Sequence, residues 1–179
     1  ASPEAPPPRA PGRGSLTARL PRSAAAIARD VVRVMRAGAG AVAADADAAV
    51  AAGTAGGGAP LPTPLRQQFE GSLGVDLAAV RVHADGAAAT AAASVGARAF
   101  AVGDAVVMGA GAYQPDTAAG RWLLAHEVAH TVQQRGGASL QAKLAVTSPG
   151  DHAEVEADRA ADAMVAGHAA TVTAAPPAL

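Results

Sequence analysis

The sequence contains no cysteine, so disulfide bonds and thiolate metal ligands are excluded. Aromatic residues make up only 2% of the chain, and alanine supplies most of the 50% that is hydrophobic. A core of such small side chains buries little apolar area per helix, so a bound metal ion would matter for stability as well as for chemistry. The formal net charge is −1, and Lys143 is the only lysine among 14 basic residues. Without a basic patch and interleaved aromatics, nucleic acid is not expected as a partner.

The sequence also lacks a long apolar run. Asp, Arg or Gly interrupts every alanine-rich stretch before about 20 apolar residues accumulate, so no membrane span is expected. Residues 1–20 are rich in proline and arginine and have no apolar h-region, which excludes a secretory signal peptide within them. Because the sequence does not begin with methionine, we expect a fragment or a processed product. The abundance of Ala, Gly, Pro and Arg is typical of GC-rich bacterial genomes.

Composition divides the chain into three predicted parts. Residues 1–59 are an extension rich in Pro, Ala and Gly, with a helix predicted over 23–36 from its apolar spacing. Residues 60–168 are predicted to form the compact domain. Residues 169–179, which contain two consecutive prolines, are predicted to be a frayed tail.

Short strands and helices alternate within the predicted domain. Thr63 before Pro64 predicts the start of a helix that Gly74 ends, and Gly103-Asp104 between two apolar runs predicts a hairpin. The other predicted elements are alanine helices at 41–52 and 86–95, the second capped by Asp85, a strand at 80–83, an extended segment at 139–146, a turn at 148–150 and a helix at 151–166. These elements predict an α+β fold, mostly helical, with a small antiparallel sheet.

The run from His126 to His130 reads His-Glu-Val-Ala-His and is the most informative motif of the chain. An HExxH sequence on a helix places two imidazoles one turn apart, with the carboxylate of Glu127 beside the first, as a catalytic zinc site requires. Asp116 or Thr117 is expected to cap this helix. The alternative interpretation is a helix whose histidines face the solvent.

The spacing on this helix predicts two faces. The buried stripe is expected to consist of Leu124, Val128, Thr131 and Val132, and the other side of His126, His130 and Gln133 or Gln134. We expect Trp122 to pack in the core, with a role that faces a partner as the alternative.

A third ligand is needed, because a catalytic zinc site usually takes three protein ligands and a water molecule. On the predicted helix at 151–166, Glu154 and Asp158 stand at positions i and i+4 and share a face, while Glu156 points about 200° away. Glu154 is therefore expected to bind the metal and Asp158 to orient a ligand histidine. Glu156, expected in the solvent near Arg159, is the alternative ligand, and His152 is a weaker one. The alternative interpretation of the acidic box is a solvated first turn.

This ligand set predicts hydrolysis of peptide bonds. Zinc held by His126, His130 and Glu154 would keep an open position for water and lower the pKa of that water towards about 7. Glu127 is expected to accept the proton of the attacking water and to pass it to the leaving amine. We expect Tyr113, in the loop before the motif, to pack and hydrogen-bond locally, with donation to the developing oxyanion as its alternative role.

Several blocks of sequence, taken in order, resemble one bacterial family. The blocks are residues 60–66, 80–83, 96–100, 111–115 and 123–134. Together they resemble the eCIS core domain, which accompanies extracellular contractile injection systems. The resemblance covers about residues 60–136 and the box from Glu154 to Asp162, and that box is also similar to the Glu-x-x-Ala-Asp box of gluzincin peptidases.

The resemblance implies a zincin-like fold and a zinc metalloendopeptidase of gluzincin type, with Glu154 as ligand and Asp158 as its supporting carboxylate. It also implies a contractile injection particle as partner. The protein would then be cytoplasmic during assembly, and later particle-associated, extracellular or delivered to a target cell. The substrate would be the chain itself, a fused cargo or a target-cell protein. The alternative function is a catalytically silent adaptor, in which a metal staples the fold and the domain docks cargo on the particle.

Overall fold

The computed structural model describes residues 46–135 and 152–174. In chain order its elements are α1 (Ala46–Thr54), β1 (Ala59–Pro60), α2 (Thr63–Leu73), β2 (Arg81–His83), α3 (Gly86–Ser94), β3 (Ala99–Val102), β4 (Ala105–Met108), α4 (Ala118–Gln134) and α5 (His152–Ala166). The predicted helix at 23–36, the extended segment at 139–146, the turn at 148–150 and residues 175–179 lie outside the described residues. No helix among the described residues is long and apolar enough to span a membrane.

The four strands form one sheet in the order β1-β2-β4-β3. As predicted, β3 and β4 form an antiparallel hairpin around Gly103-Asp104. β1 and β2 are also antiparallel, but β2 and β4 are parallel, with Val82 opposite Val106. The α+β class is therefore confirmed, while the sheet is mixed and not purely antiparallel. The reason is that α3 connects β2 to the edge strand β3. The hairpin then returns as β4 between them, parallel to β2.

The sheet is covered on both faces, and alternation along β4 assigns its residues to them. Val106 and Met108 belong to the main core, which also contains Leu123 and Leu124 of α4. Val107 points to the opposite face, where it packs with Phe100 and the alanines of α3. α4 thus lies on one face of the sheet and α3 on the other.

α1 packs closely against α3. A β-carbon at Gly53 would lie 2.7 Å from the Cβ of Ala91, so glycine allows this approach. The packed unit therefore includes residues before residue 60, where we predicted the domain to begin. The domain boundaries as a whole stay predictions.

Side-chain caps begin two of the helices. Asp85 caps α3 by accepting from the Ala88 N–H at 2.8 Å, as predicted. Thr117, one of two predicted candidates, caps α4 by accepting from the Gly120 N–H at 3.0 Å. A β-carbon at Gly120 would overlap the Gln114 carbonyl, so glycine lets the preceding loop pack onto the first turn of α4.

The predicted start of α2 is shifted by one residue. Pro62 occupies the N-cap and Thr63 is already helical. The helix has no side-chain cap, because proline has no side-chain oxygen to accept a hydrogen bond. The helix ends as predicted at Gly74, whose φ of 66° is left-handed.

α4 is buried on every side. Each residue from Trp122 to Gln133 is buried, including the side that was expected to be polar. One side of α4 packs on β3 and β4, and another packs on α5. The prediction of a single buried stripe is therefore wrong, and so is the alternative of solvent-facing histidines. His126, His130 and Gln133 face α5 instead of water.

Candidate metal centre

Three side chains from two helices meet between α4 and α5. His126, His130 and Glu154 each offer one ligand atom, and these atoms lie within 4.8 Å of one another. The Nε2 atoms of the two histidines are 3.1 Å apart. Glu154 places Oε2 3.6 Å from Nε2 of His126 and Oε1 3.3 Å from Nε2 of His130. The two helices thus bring together the three residues predicted as ligands.

These separations fit a small divalent ion. Ligand atoms bound tetrahedrally to one zinc ion at about 2.0–2.2 Å lie about 3.3–3.6 Å from each other. The three observed distances span 3.1–3.6 Å. The triad is also removed from water, with exposed fractions of 1% for His126, 8% for His130 and 7% for Glu154. The group could therefore hold a metal ion.

Asp158 lies one turn after Glu154 and contacts the first imidazole from behind. Its Oδ1 is 3.2 Å from Nδ1 of His126, the ring nitrogen that faces away from the triad. A proton on Nδ1 directed at this carboxylate would leave the lone pair of Nε2 for a metal. The structure thus places Asp158 where the sequence predicted an orienting carboxylate.

A third carboxylate continues this row. Glu154, Asp158 and Asp162 follow one another at one-turn spacing on α5 and form the carboxylate row, which faces residues of the same spacing on α4, His130, His126 and Trp122. Asp162 Oδ1 accepts from the indole Nε1 of Trp122 at 2.9 Å. The buried indole stacks on His126, with ring centroids 5.2 Å apart. Sequence reasoning missed the Trp122–Asp162 pair, although the spacing was readable in the sequence.

Trp122→Phe is expected to lower the free energy of unfolding by about 1–3 kcal/mol, because it removes the indole donor and part of a buried ring. Urea denaturation measures this change. It is followed by circular dichroism, because the variant contains no tryptophan whose fluorescence could report unfolding. Asp162→Asn is the milder control, because an amide oxygen still accepts from the indole. A Trp122→Phe protein as stable as the wild type would contradict this role.

Glu127 of α4 is also buried, with 1% of its surface exposed. It stands three residues before His130, a spacing at which side chains on a helix are neighbours. The arrangement is compatible with the predicted proton acceptor, and the catalytic role stays a prediction.

Glu156 does not join the triad, and it does not stand free in the solvent as predicted. Its Oε2 accepts from Gln133 Nε2 at 2.9 Å, and its Oε1 accepts from Thr173 Oγ1 at 2.8 Å. Burial alone would raise the pKa of Glu156, but these hydrogen bonds and nearby His152 lower it below its ordinary value. Glu156 is therefore an ionised bridge between α4 and the segment after α5. His152, the other alternative ligand, is exposed and outside the triad.

Tyr113 is half-buried and packs against the main core. Burial, followed by the negative charge of Asp116, raises the pKa of its phenol above the ordinary value. The hydroxyl therefore stays protonated and able to donate a hydrogen bond. The local packing expected for Tyr113 is observed, and its alternative role as an oxyanion donor stays a prediction.

Residues 60–138 match the family model of the eCIS core domain. This part of the chain is therefore similar to the eCIS core domain. The match confirms the resemblance seen in the sequence and indicates a contractile injection system as the context of the protein. The eCIS core match contains both histidines and Glu127 but ends before α5, so the third triad member lies outside it. No curated protein and no solved structure matches the chain. The zincin-like fold implied by the resemblance stays a prediction.

Proposed function

We propose that the protein is a zinc-dependent metalloendopeptidase of gluzincin type. The observation that carries this proposal is the buried triad, in which the two imidazole Nε2 atoms lie 3.1 Å apart and each lies 3.3–3.6 Å from an oxygen of Glu154, close to the separations of ligands around a tetrahedral zinc ion. Two imidazoles and one carboxylate form the donor set of several catalytic zinc sites, in which the fourth position stays open. The absence of cysteine excludes the thiolate sets that are common in structural zinc sites.

Each residue in and around the triad has a separate role in this proposal. Zinc bound there would act as a Lewis acid and lower the pKa of water at its open position towards about 7. His126, His130 and Glu154 hold the ion, and Asp158 fixes the ring of His126. Glu127 accepts the proton of the attacking water and returns it to the leaving amine. The hydroxyl of Tyr113, which its raised pKa keeps protonated, would be the alternative donor to the developing oxyanion.

The eCIS core domain suggests where this activity is used. We infer that the protein associates with a contractile injection particle, assembles with it in the bacterial cytoplasm and acts on the particle, outside the cell or in a target cell. Its substrate is then a peptide or protein: the chain itself, a fused cargo or a target-cell protein.

The test is cleavage of a peptide library and of the full-length protein by the zinc-loaded chain. We expect cleavage that a chelator abolishes and added zinc restores, because the triad has no activity without its ion. Mass spectrometry of the products identifies the cleaved bonds. Zinc binding without cleavage of either substrate would contradict the proposed peptidase activity. It would favour the catalytically silent adaptor, in which the ion only joins α4 to α5 and stabilises the fold.

A further inference from the structure

Gln133 contacts the second imidazole from the side opposite the triad. It lies one turn after His130 and is buried. Its Oε1 is 2.7 Å from Nδ1 of His130. Its Nε2 lies 2.9 Å from the Ala153 carbonyl and 2.9 Å from Oε2 of Glu156. The amide therefore connects a triad histidine of α4 with the first turn of α5.

The partners of this amide fix its orientation. Its nitrogen faces the Ala153 carbonyl, which can only accept a hydrogen bond, and lies equally close to Oε2 of Glu156, so the nitrogen is the donating end of the amide. A flipped amide would place its oxygen against those two oxygens. Oε1 must therefore face His130, and Nδ1 of His130 must carry the proton. Its Nε2 then presents a lone pair to the triad.

We propose that Gln133 is a positioning residue of the metal centre, which selects the His130 tautomer that can bind the ion. Glu156 holds Gln133 in the required orientation, and Thr173 occupies the other oxygen of Glu156. The segment that carries Thr173 is itself tied to α2, because the Ala170 N–H donates to the Ser72 carbonyl at 2.8 Å. The ability of His130 to bind metal thus depends on a hydrogen-bonded path that reaches residues after α5. The inference rests on the metal site of the proposed function and not on its peptidase activity.

Gln133→Met tests this, because methionine fills a similar volume without a donor or an acceptor. We expect zinc affinity to fall about 10- to 100-fold, the loss typical of a removed partner behind a ligand histidine. Competition with a chromophoric chelator measures it in the full chain. The matched control is Gln134→Met, since Gln134 bonds to Gly103 N and the Ala101 carbonyl on the hairpin and not to the triad. Gln134→Met is expected to keep the wild-type affinity.

A swapped pair separates the tautomer from general damage to the core. In the double variant Gln133→Glu with Glu156→Gln, residue 133 still accepts from His130 Nδ1, residue 156 supplies the amide donor, and the total charge is unchanged. We expect the swap to recover most of the affinity lost in Gln133→Met. Glu156→Ala, which leaves Gln133 with one acceptor, is expected to lose less than about tenfold. A swap that binds zinc no better than Gln133→Met would contradict the proposal.

Nitrogen-15 NMR of the zinc-free protein reads the tautomer directly. We expect His130 of the wild type and of the swap to carry the proton on Nδ1, and Gln133→Met to gain the Nε2-protonated form. Unchanged tautomer and affinity in Gln133→Met would overturn this inference and leave the proposed function standing. Absence of zinc binding in the wild type would overturn both.

Discussion

Glu127→Gln is expected to bind zinc like the wild type and to cleave peptides at least about 100-fold more slowly. The glutamine keeps the size of the buried side chain but cannot accept the proton of the attacking water. Positioned proton transfer is typically worth a factor of about 10²–10⁴ in rate. The three ligands of the triad are untouched by the change, so zinc affinity should not fall with the rate. Single-turnover cleavage and chelator competition on the same preparation measure the two quantities separately.

Glu70→Gln is a matched control for this change. Glu70 lies on α2 and accepts from the Leu77 N–H at 3.0 Å, a bond that a glutamine oxygen retains. We expect its cleavage rate to equal that of the wild type. Cleavage by Glu127→Gln at the wild-type rate would show that the assigned mechanism is wrong. Loss of zinc from Glu127→Gln would show instead that Glu127 supports the site and not the chemistry.

Zinc is expected to stabilise the wild-type protein strongly, and Glu154→Ala is expected to remove most of that effect. Free zinc at about 1,000 times its dissociation constant stabilises a protein by about 4 kcal/mol, which raises the melting temperature of a domain of this size by roughly 10 °C or more. Glu154 is the only triad member on α5, so its loss leaves two ligands on one helix and nothing to join the pair. The affinity loss should exceed the about 10- to 100-fold expected for a supporting residue. Thermal unfolding with and without zinc measures it.

Glu156→Ala is the control here, because Glu156 was the rival candidate for the third ligand. We expect this variant to keep most of the zinc-dependent rise in melting temperature, since Glu156 acts only through Gln133. If Glu156→Ala lost the rise and Glu154→Ala kept it, the ligand assignment would be reversed. If zinc did not stabilise even the wild type, the triad would not be a metal site.

Much of the site was readable from sequence because its residues follow helical spacing. His126 and His130 stand four residues apart, as do Glu154 and Asp158, so each pair had to share a helix face. The structure brings the two faces together with the predicted partners. The hairpin around Gly103 and the cap at Asp85 were also predictable, because turns and caps depend on a few neighbouring residues.

The missed features depend on contacts between distant residues. The two- to four-residue strands gave no signal for the parallel pairing of β2 with β4. The single buried stripe predicted for α4 did not include the side that carries His126, His130 and Gln133, which is also buried. A metal centre buries histidine and glutamine instead, and the periodicity of polar residues cannot separate a solvent face from a site face. The contacts that Gln133 and Trp122 make with α5 were missed, because helical spacing on α4 alone does not show which residues of α5 lie opposite.

The apolar residues that α5 buries are mostly alanines, and this affects how α4 and α5 are aligned. The residues that α5 buries include Ala157, Ala160 and Ala161, with Met164 as the only large apolar side chain. Identical methyl groups repeated along a helix discriminate poorly against sliding by one turn, whereas large side chains of different shape would discriminate well. The carboxylate row supplies the missing discrimination, since a slip of about 5.4 Å would offer Trp122 the carboxylate meant for His126 and deprive one imidazole of Glu154. The polar groups of the candidate metal centre thus also favour one axial alignment of α4 and α5.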